Sequence, residues 1–249
     1  MKLIPILLLN LLISSICNAA DIDKGGTDWQ HVAPESYPQE RKWVSSDTYP
    51  WRTIGRINLA GRGYCSGALI ANDTVITSAH CLWNRRTGQW FPPQYVTFVA
   101  GAEKESYQDY ANATSFKIAD GFSPDKLTNT ETLKHDWALI KLAKPIGKKL
   151  GFLPLASQMN TGQQIIQTGY RADREFVLTV ERNCRIAKTY DNSKVIQTSC
   201  HTISGDSGGP VLIRNKDKWS LVGIHRGRTD ANESLVVTSK NFRKFIIGK

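Results

Sequence analysis

From Tyr49 onward the chain is written in short apolar or β-branched runs: Thr53–Leu59, Tyr64–Ile70, Thr74–Ala79, Tyr95–Ala100, Trp137–Leu142, Gln164–Tyr170, Phe176–Val180, Lys194–Ser199, Pro210–Ile213, Trp219–Ile224 and Leu235–Val237. Gly, Asn, Asp and Pro separate them, so an all-β fold is expected. The segment Pro145 to Pro154, with Gly147 and Gly151, is the best linker between two halves of similar strand content. Residues 49–145 and 146–249 are therefore expected to form two small antiparallel barrels or sandwiches. Phe242, Phe245 and Ile246 recur at helical spacing after Ser239 and Asn241, both good cap residues, and predict a short C-terminal helix. A chain of 249 residues can bury such cores without covalent staples.

The first twenty residues read as a signal peptide: Lys2, an apolar run from Leu3 to Ile16, then Cys-Asn-Ala-Ala before Asp21. The run is too short for a stable membrane span and no later stretch approaches one, so no membrane anchor is expected. Residues 21–48 are polar, carry Pro34 and Pro38, and read as a pro-segment or N-terminal arm. Export makes the expected location secreted or periplasmic. Cys17 leaves with the signal, and Cys65, Cys81, Cys184 and Cys200 remain, an even number that favours two disulfides in an oxidising compartment. Zinc would need close Cys or His pairs, whereas these cysteines are sixteen apart in both halves, so neither a metal nor another cofactor is expected. The formal charge of +10 comes from scattered Lys and Arg without a basic stripe interleaved with aromatics, which argues against nucleic acid. A monomer is expected.

One segment is too rich in glycine for a plain turn: Gly205-Asp206-Ser207-Gly208-Gly209-Pro210, between two strand-like runs. Glycines on both sides of Ser207 permit left-handed backbone and close approach of a substrate carbonyl. The N–H groups of Gly205 and Ser207 are then candidates for an oxyanion hole. A serine hydroxyl needs a base, and His80 closes the run Thr74–Ala79 beside Cys81, while His31 lies in the arm. Asp136 opens Asp-Trp-Ala-Leu-Ile-Lys-Leu, an interior strand by its pattern, and is a candidate to fix the imidazole tautomer. Each residue also has a plain structural reading: a surface histidine at a strand end, an aspartate bonded to backbone.

Ser78-Ala79-His80-Cys81, Asp136-Trp137-Ala138-Leu139 and Gly205-Asp206-Ser207-Gly208-Gly209-Pro210 resemble the histidine, aspartate and serine motifs of the chymotrypsin-like serine peptidases, in that family's order. The resemblance implies two six-stranded antiparallel β-barrels with the catalytic residues in the cleft between them. It also implies a Cys65–Cys81 pair and suggests a Cys184–Cys200 pair. Within the family, Tyr49-Pro50-Trp51-Arg52-Thr53-Ile54-Gly55 and Gly223-Ile224-His225 resemble the bacterial glutamyl-endopeptidase branch. His201 stands six residues before Ser207, where a tryptic enzyme carries Asp, and Arg226 stands where the digestive type has a serine beside its aspartate. Thr202 and His225 match positions that hold a substrate carboxylate in the glutamyl branch, so a peptide or protein substrate cut after Glu or Asp is expected. The rival functions are a catalytically silent basic binding protein on the same fold and an esterase using the same triad. Asp206 has two candidate partners: a newly formed N-terminal amine, as in zymogen-activated relatives, or a basic side chain.

Overall fold

The computed structural model describes residues 41–126 and 130–246; the expected signal peptide and residues 21–40, His31 included, lie outside the described residues. Along the chain come β1 (Lys42–Trp43), β2 (Ile54–Leu59), β3 (Tyr64–Ala71), β4 (Thr74–Thr77), β5 (Trp83–Asn84), β6 (Gln89–Trp90), β7 (Val96–Ala100), β8 (Asp109–Ile118) and β9 (Ala138–Leu142). After the connection 145–154 follow β10 (Gln164–Gly169), β11 (Thr179–Tyr190), β12 (Val195–His201), β13 (Pro210–Asn215), β14 (Lys218–Arg228) and β15 (Glu233–Thr238). Strands β2-β3-β4-β9-β8-β7 close into one antiparallel barrel. Strands β11-β10-β13-β14-β15-β12 close into a second, because β12 returns to pair with β11. The all-β fold expected from the run pattern is observed, and it takes the double-barrel form that the family resemblance implies. The short C-terminal helix takes the form of two 3₁₀ turns, Ser239–Asn241 and Arg243–Phe245.

Several strands read as apolar on both faces because each face meets a different core. In β3, β4 and β9 the residues Leu69, Val75 and Ile140 point into the first barrel with Ile57, Leu82 and Phe98. Their neighbours Ala68, Ile70, Ile76 and Leu139 join a second cluster that also holds Tyr170, Leu178, Leu212, Leu221 and Ile224 from the other half. That shared layer fuses the barrels, and period-two alternation delivers one residue to each side in turn. A third cluster, including Ile165, Ile186, Ile196, Val211, Val222 and Val236, fills the second barrel. Full burial of each such aliphatic side chain stabilises the fold by about 1.5–3 kcal/mol.

The folded body starts earlier than the run pattern implies. Lys42 and Trp43 pair with Val180 and Thr179 of β11, and the buried Ser46 donates its hydroxyl to the Gly101 carbonyl at 2.9 Å. Residues 41–48, expected to belong to the arm, are thus built into both barrels. The disulfides are Cys65–Cys81, joining β3 to the turn after β4, and Cys184–Cys200, joining β11 to β12, with Cα separations of 6.1 and 5.1 Å. Among the described residues no helix is long and apolar enough to cross a membrane.

Candidate active site

Strand β4 ends at Thr77, and the 3₁₀ turn Ala79–Leu82 carries His80. Ala79 and Leu82 are fully buried and Cys81 is bridged to Cys65, so the turn is anchored on both sides of the histidine. Asp136, 1% exposed, sits at the entry to β9. The next residue, Trp137, packs against Phe242 and Phe245 of the C-terminal turns, with ring centroids 5.8 and 5.3 Å apart. His80 Nδ1 lies 2.7 Å from Asp136 Oδ2, and the His80 backbone N–H donates to Oδ1 at 2.9 Å. Arg226 Nε is 3.3 Å from the same Oδ2. Burial on its own would push the Asp136 carboxyl up, but His80 and Arg226 together hold it below the usual carboxylate range. Arg226 therefore faces the carboxylate, where the digestive type has a serine, and its charge is engaged there.

The loop between β12 and β13 carries Ser207. Gly205 and Gly208 have φ of +89° and +77°, the left-handed region that glycine enters freely. A Cβ on Gly208 would stand 2.1 Å from Thr77 Oγ1 and 2.3 Å from the Ser66 carbonyl. Only a bare α-carbon lets the serine turn press against the end of β4. Ser66 on β3 completes the contact: its N–H donates to the Ser207 carbonyl at 2.8 Å and its hydroxyl to the Gly205 carbonyl at 2.8 Å. The His225 carbonyl accepts both the Gly208 N–H at 2.8 Å and the Ser78 hydroxyl at 2.6 Å, tying the histidine turn to the serine turn. Cys81 Sγ lies 3.8 Å from the Ser207 carbonyl oxygen. Thus His80 and Asp136 are paired, and the turn that carries His80 meets the turn that carries Ser207 from the other barrel.

The amides of the serine turn divide into two sets. Those of Asp206, Gly208 and Gly209 donate to Ile203, His225 and Asp206 carbonyls respectively. Those of Gly205 and Ser207 have no acceptor among the described residues. Asp206 itself is fully buried, and of its two candidate partners the structure holds the basic side chain: Arg41 reaches Oδ1 at 2.6 Å and Oδ2 at 3.1 Å. Burial pushes the Asp206 carboxyl up and the Arg41 guanidinium down, and each charge offsets the shift of the other.

The expected substrate-binding residues fare differently. His201 is half-buried, and its carbonyl accepts from Gln167 Nε2 at 2.9 Å. Thr202 is 4% exposed and its hydroxyl lies 3.1 Å from Asp206 Oδ2, so its single proton is directed at Asp206 and not at a substrate. His225, 1% exposed, has Nδ1 at 2.5 Å from the Ser234 hydroxyl, whereas Nε2 is buried without a partner among the described residues. Burial, then the charge of Arg41, push the His225 imidazole well below its ordinary 6.5, leaving the ring neutral. Residues the sequence did not single out, Arg41, Ser66, Ser78 and Ser234, support the site from four separate segments. Of these only Ser78 lies inside a quoted motif, and none carries a local signal of its partner.

A family model described as Trypsin matches residues 43–246. The chain is 26% identical over 189 residues to a glutamyl endopeptidase of Bacillus licheniformis, covering 74% of this chain and 56% of that protein. It is 27% identical over 209 residues to serine protease 23 of Mus musculus, covering 72% and 51%. With a trypsin of Sarcophaga bullata the identity is 25% over 191 residues, covering 67% and 69%. The chain spans about half the length of the first two relatives. Among solved structures, a Glu endopeptidase in complex with MPD superposes with a TM-score of 0.70 at 23% identity, over 85% of this chain and 97% of that one, a likeness of fold.

Proposed function

The chain belongs to the trypsin family, and from that premise we propose that it is a secreted serine endopeptidase that cuts peptide bonds through an acyl-enzyme and prefers an acidic residue on the acyl side. Ser207 Oγ attacks the carbonyl carbon while His80 Nε2 takes its proton. Asp136 accepts from Nδ1, which fixes the tautomer and stabilises the imidazolium. The imidazolium then gives its proton to the leaving amine, and water repeats the cycle on the ester. The observation that carries this reading is the pair of unengaged amides at Gly205 and Ser207, flanking a buried Asp206. Two donors left without protein acceptors in a rigid turn are poised for the negative oxygen of a tetrahedral intermediate. Among the described residues the Ser207 hydroxyl makes no hydrogen bond either, which leaves it free to turn toward His80.

The acidic preference rests on His225. In the tautomer in which Ser234 donates to Nδ1, the ring proton is on Nε2, a buried N–H without a partner among the described residues that suits a carboxylate. A charge-assisted hydrogen bond of this kind is worth roughly 1.5–3 kcal/mol, or about ten- to a hundred-fold in rate. The likeness to the glutamyl endopeptidase supports the same choice. An organophosphonate should label the wild type and not Ser207→Ala; equal labelling of both would remove Ser207 from the chemistry. Loss of Ser207 or His80 should cost on the order of a million-fold in turnover, and Asp136→Asn roughly ten-thousand-fold.

A further inference from the structure

We propose that Arg41 is a positioning residue for the oxyanion turn: through Asp206 it holds the N–H groups of Gly205 and Ser207 in their working arrangement, so that competence depends on a guanidinium in the N-terminal arm and not on an α-amino group made by a cut. The proposal rests on the reading of Ser207 given above. Asp206 lies between the two donors, and both of its carboxylate oxygens are engaged. Oδ1 receives Arg41 Nη2 at 2.6 Å, while Oδ2 receives Nη1 at 3.1 Å, the Thr202 hydroxyl at 3.1 Å and the Ile203 amide at 3.3 Å. Even a Cβ added at Gly169 would stand only 2.5 Å from Oδ1. The carboxylate thus already has four donors, two of them from Arg41.

Arg41 is fixed as firmly as its partner. The two residues that follow pair with β11, Arg174 donates to the Arg41 carbonyl at 3.2 Å, and Nη1 lies 3.4 Å from the His201 carbonyl. The Arg41 and Asp206 side chains are 3% and 0% exposed. A second buried carboxyl, Glu181, is also stabilised by the charge of Arg41. A bidentate pair fixes both the position and the plane of a carboxylate, which a lysine cannot do. Without Arg41, the Asp206 charge would be buried unpaired one residue from each oxyanion donor, and the turn would shift to expose it.

It follows that a cut between Arg41 and Lys42, which would free the guanidinium from the strand that anchors it, would switch this chain off, the reverse of an activating cut. The test uses the full chain with Arg41→Ala and Arg41→Lys, measuring kcat and KM separately and the rate of phosphonate attachment to Ser207, since that adduct is tetrahedral and reads the oxyanion turn. For Arg41→Ala, kcat and labelling should fall on the order of a hundred-fold with KM little changed, the loss of one oxyanion donor being worth ~10²–10³, and added guanidinium should restore part of the rate. Arg41→Lys, which keeps the charge, should fold as the wild type does and still lose about ten-fold in kcat; if Arg41→Ala does not fold, this variant decides. Proteins whose N-termini differ upstream of Arg41 should label at one rate. Wild-type rates in both variants, or a rate that depends on a particular N-terminus, would overturn the role of Arg41. Absence of labelling in the wild type would instead overturn the assignment of Ser207.

Discussion

His225 carries its proposed role as a neutral ring, because burial holds its proton affinity far below 6.5. Selectivity for Glu over Ala on the acyl side should therefore stay flat between about pH 7 and pH 9, since the N–H donor does not titrate there. His225→Ala should lower kcat/KM for the Glu peptide about ten-fold or more and leave the Ala peptide within a few-fold. A Glu preference that fades steadily with rising pH would show that the imidazolium is the binding form. The candidate triad and its glycines were legible because each sits in a short contiguous motif with one dominant chemical meaning. Thr202 was not: a hydroxyl has one proton to give, and the partner that takes it, Asp206, is fixed by a turn the sequence does not display. Ser66, Ser234 and Arg41 were invisible for a related reason, as their partners lie on other elements.

At the scale of elements, most strands were legible from their apolar runs, but β8 escaped because Ala111 and Ala113 are too small to mark a hydrophobic face and a register shift between Ala113 and Ser115 puts the inward Phe116 and Ile118 out of phase with them. The far half of β11 escaped too, since Arg185 and Lys188 interrupt the run while Cys184 and Ile186 alone keep the buried face. The C-terminal period was visible, yet the chain winds there as two 3₁₀ turns around Phe242 and Trp137. How β4 and the serine turn meet is a matter of one missing methyl. Gly208→Ala should destabilise the fold by about 2–5 kcal/mol, from the left-handed φ plus overpacking against backbone. Denaturant unfolding measures it, and phosphonate labelling of whatever folds should be slowed. An unchanged midpoint would mean that the contact with Thr77 and Ser66 is looser than the geometry implies.

Over the whole molecule, the layer between the barrels is at once a core and the floor of the site, so local chemistry and global stability respond to the same protons. His225 is neutral when folded and takes a proton near 6.5 when unfolded, so the unfolded state gains protons as pH falls below that value and stability is lost. His135, pushed down by burial and then by Lys134, acts in the same sense. The unfolding free energy should decline by up to about 1.4 kcal/mol per pH unit for His225 between about pH 6.5 and 5. The slope should flatten in His225→Gln; an equal slope there would assign the loss to other groups.

The carbonyl of His225 accepts from both Ser78 and Gly208, and its N–H donates to the Gly209 carbonyl at 2.9 Å. The residue proposed to choose the substrate is thus also a main-chain tie between the turns that carry His80 and Ser207. For anyone evolving this scaffold toward a new cleavage preference, the position is not a free dial: replacements that disturb the path of β14 will change turnover together with selectivity, proline is barred outright, and variants with altered taste but intact speed should arise from residues around His225 before they arise at it.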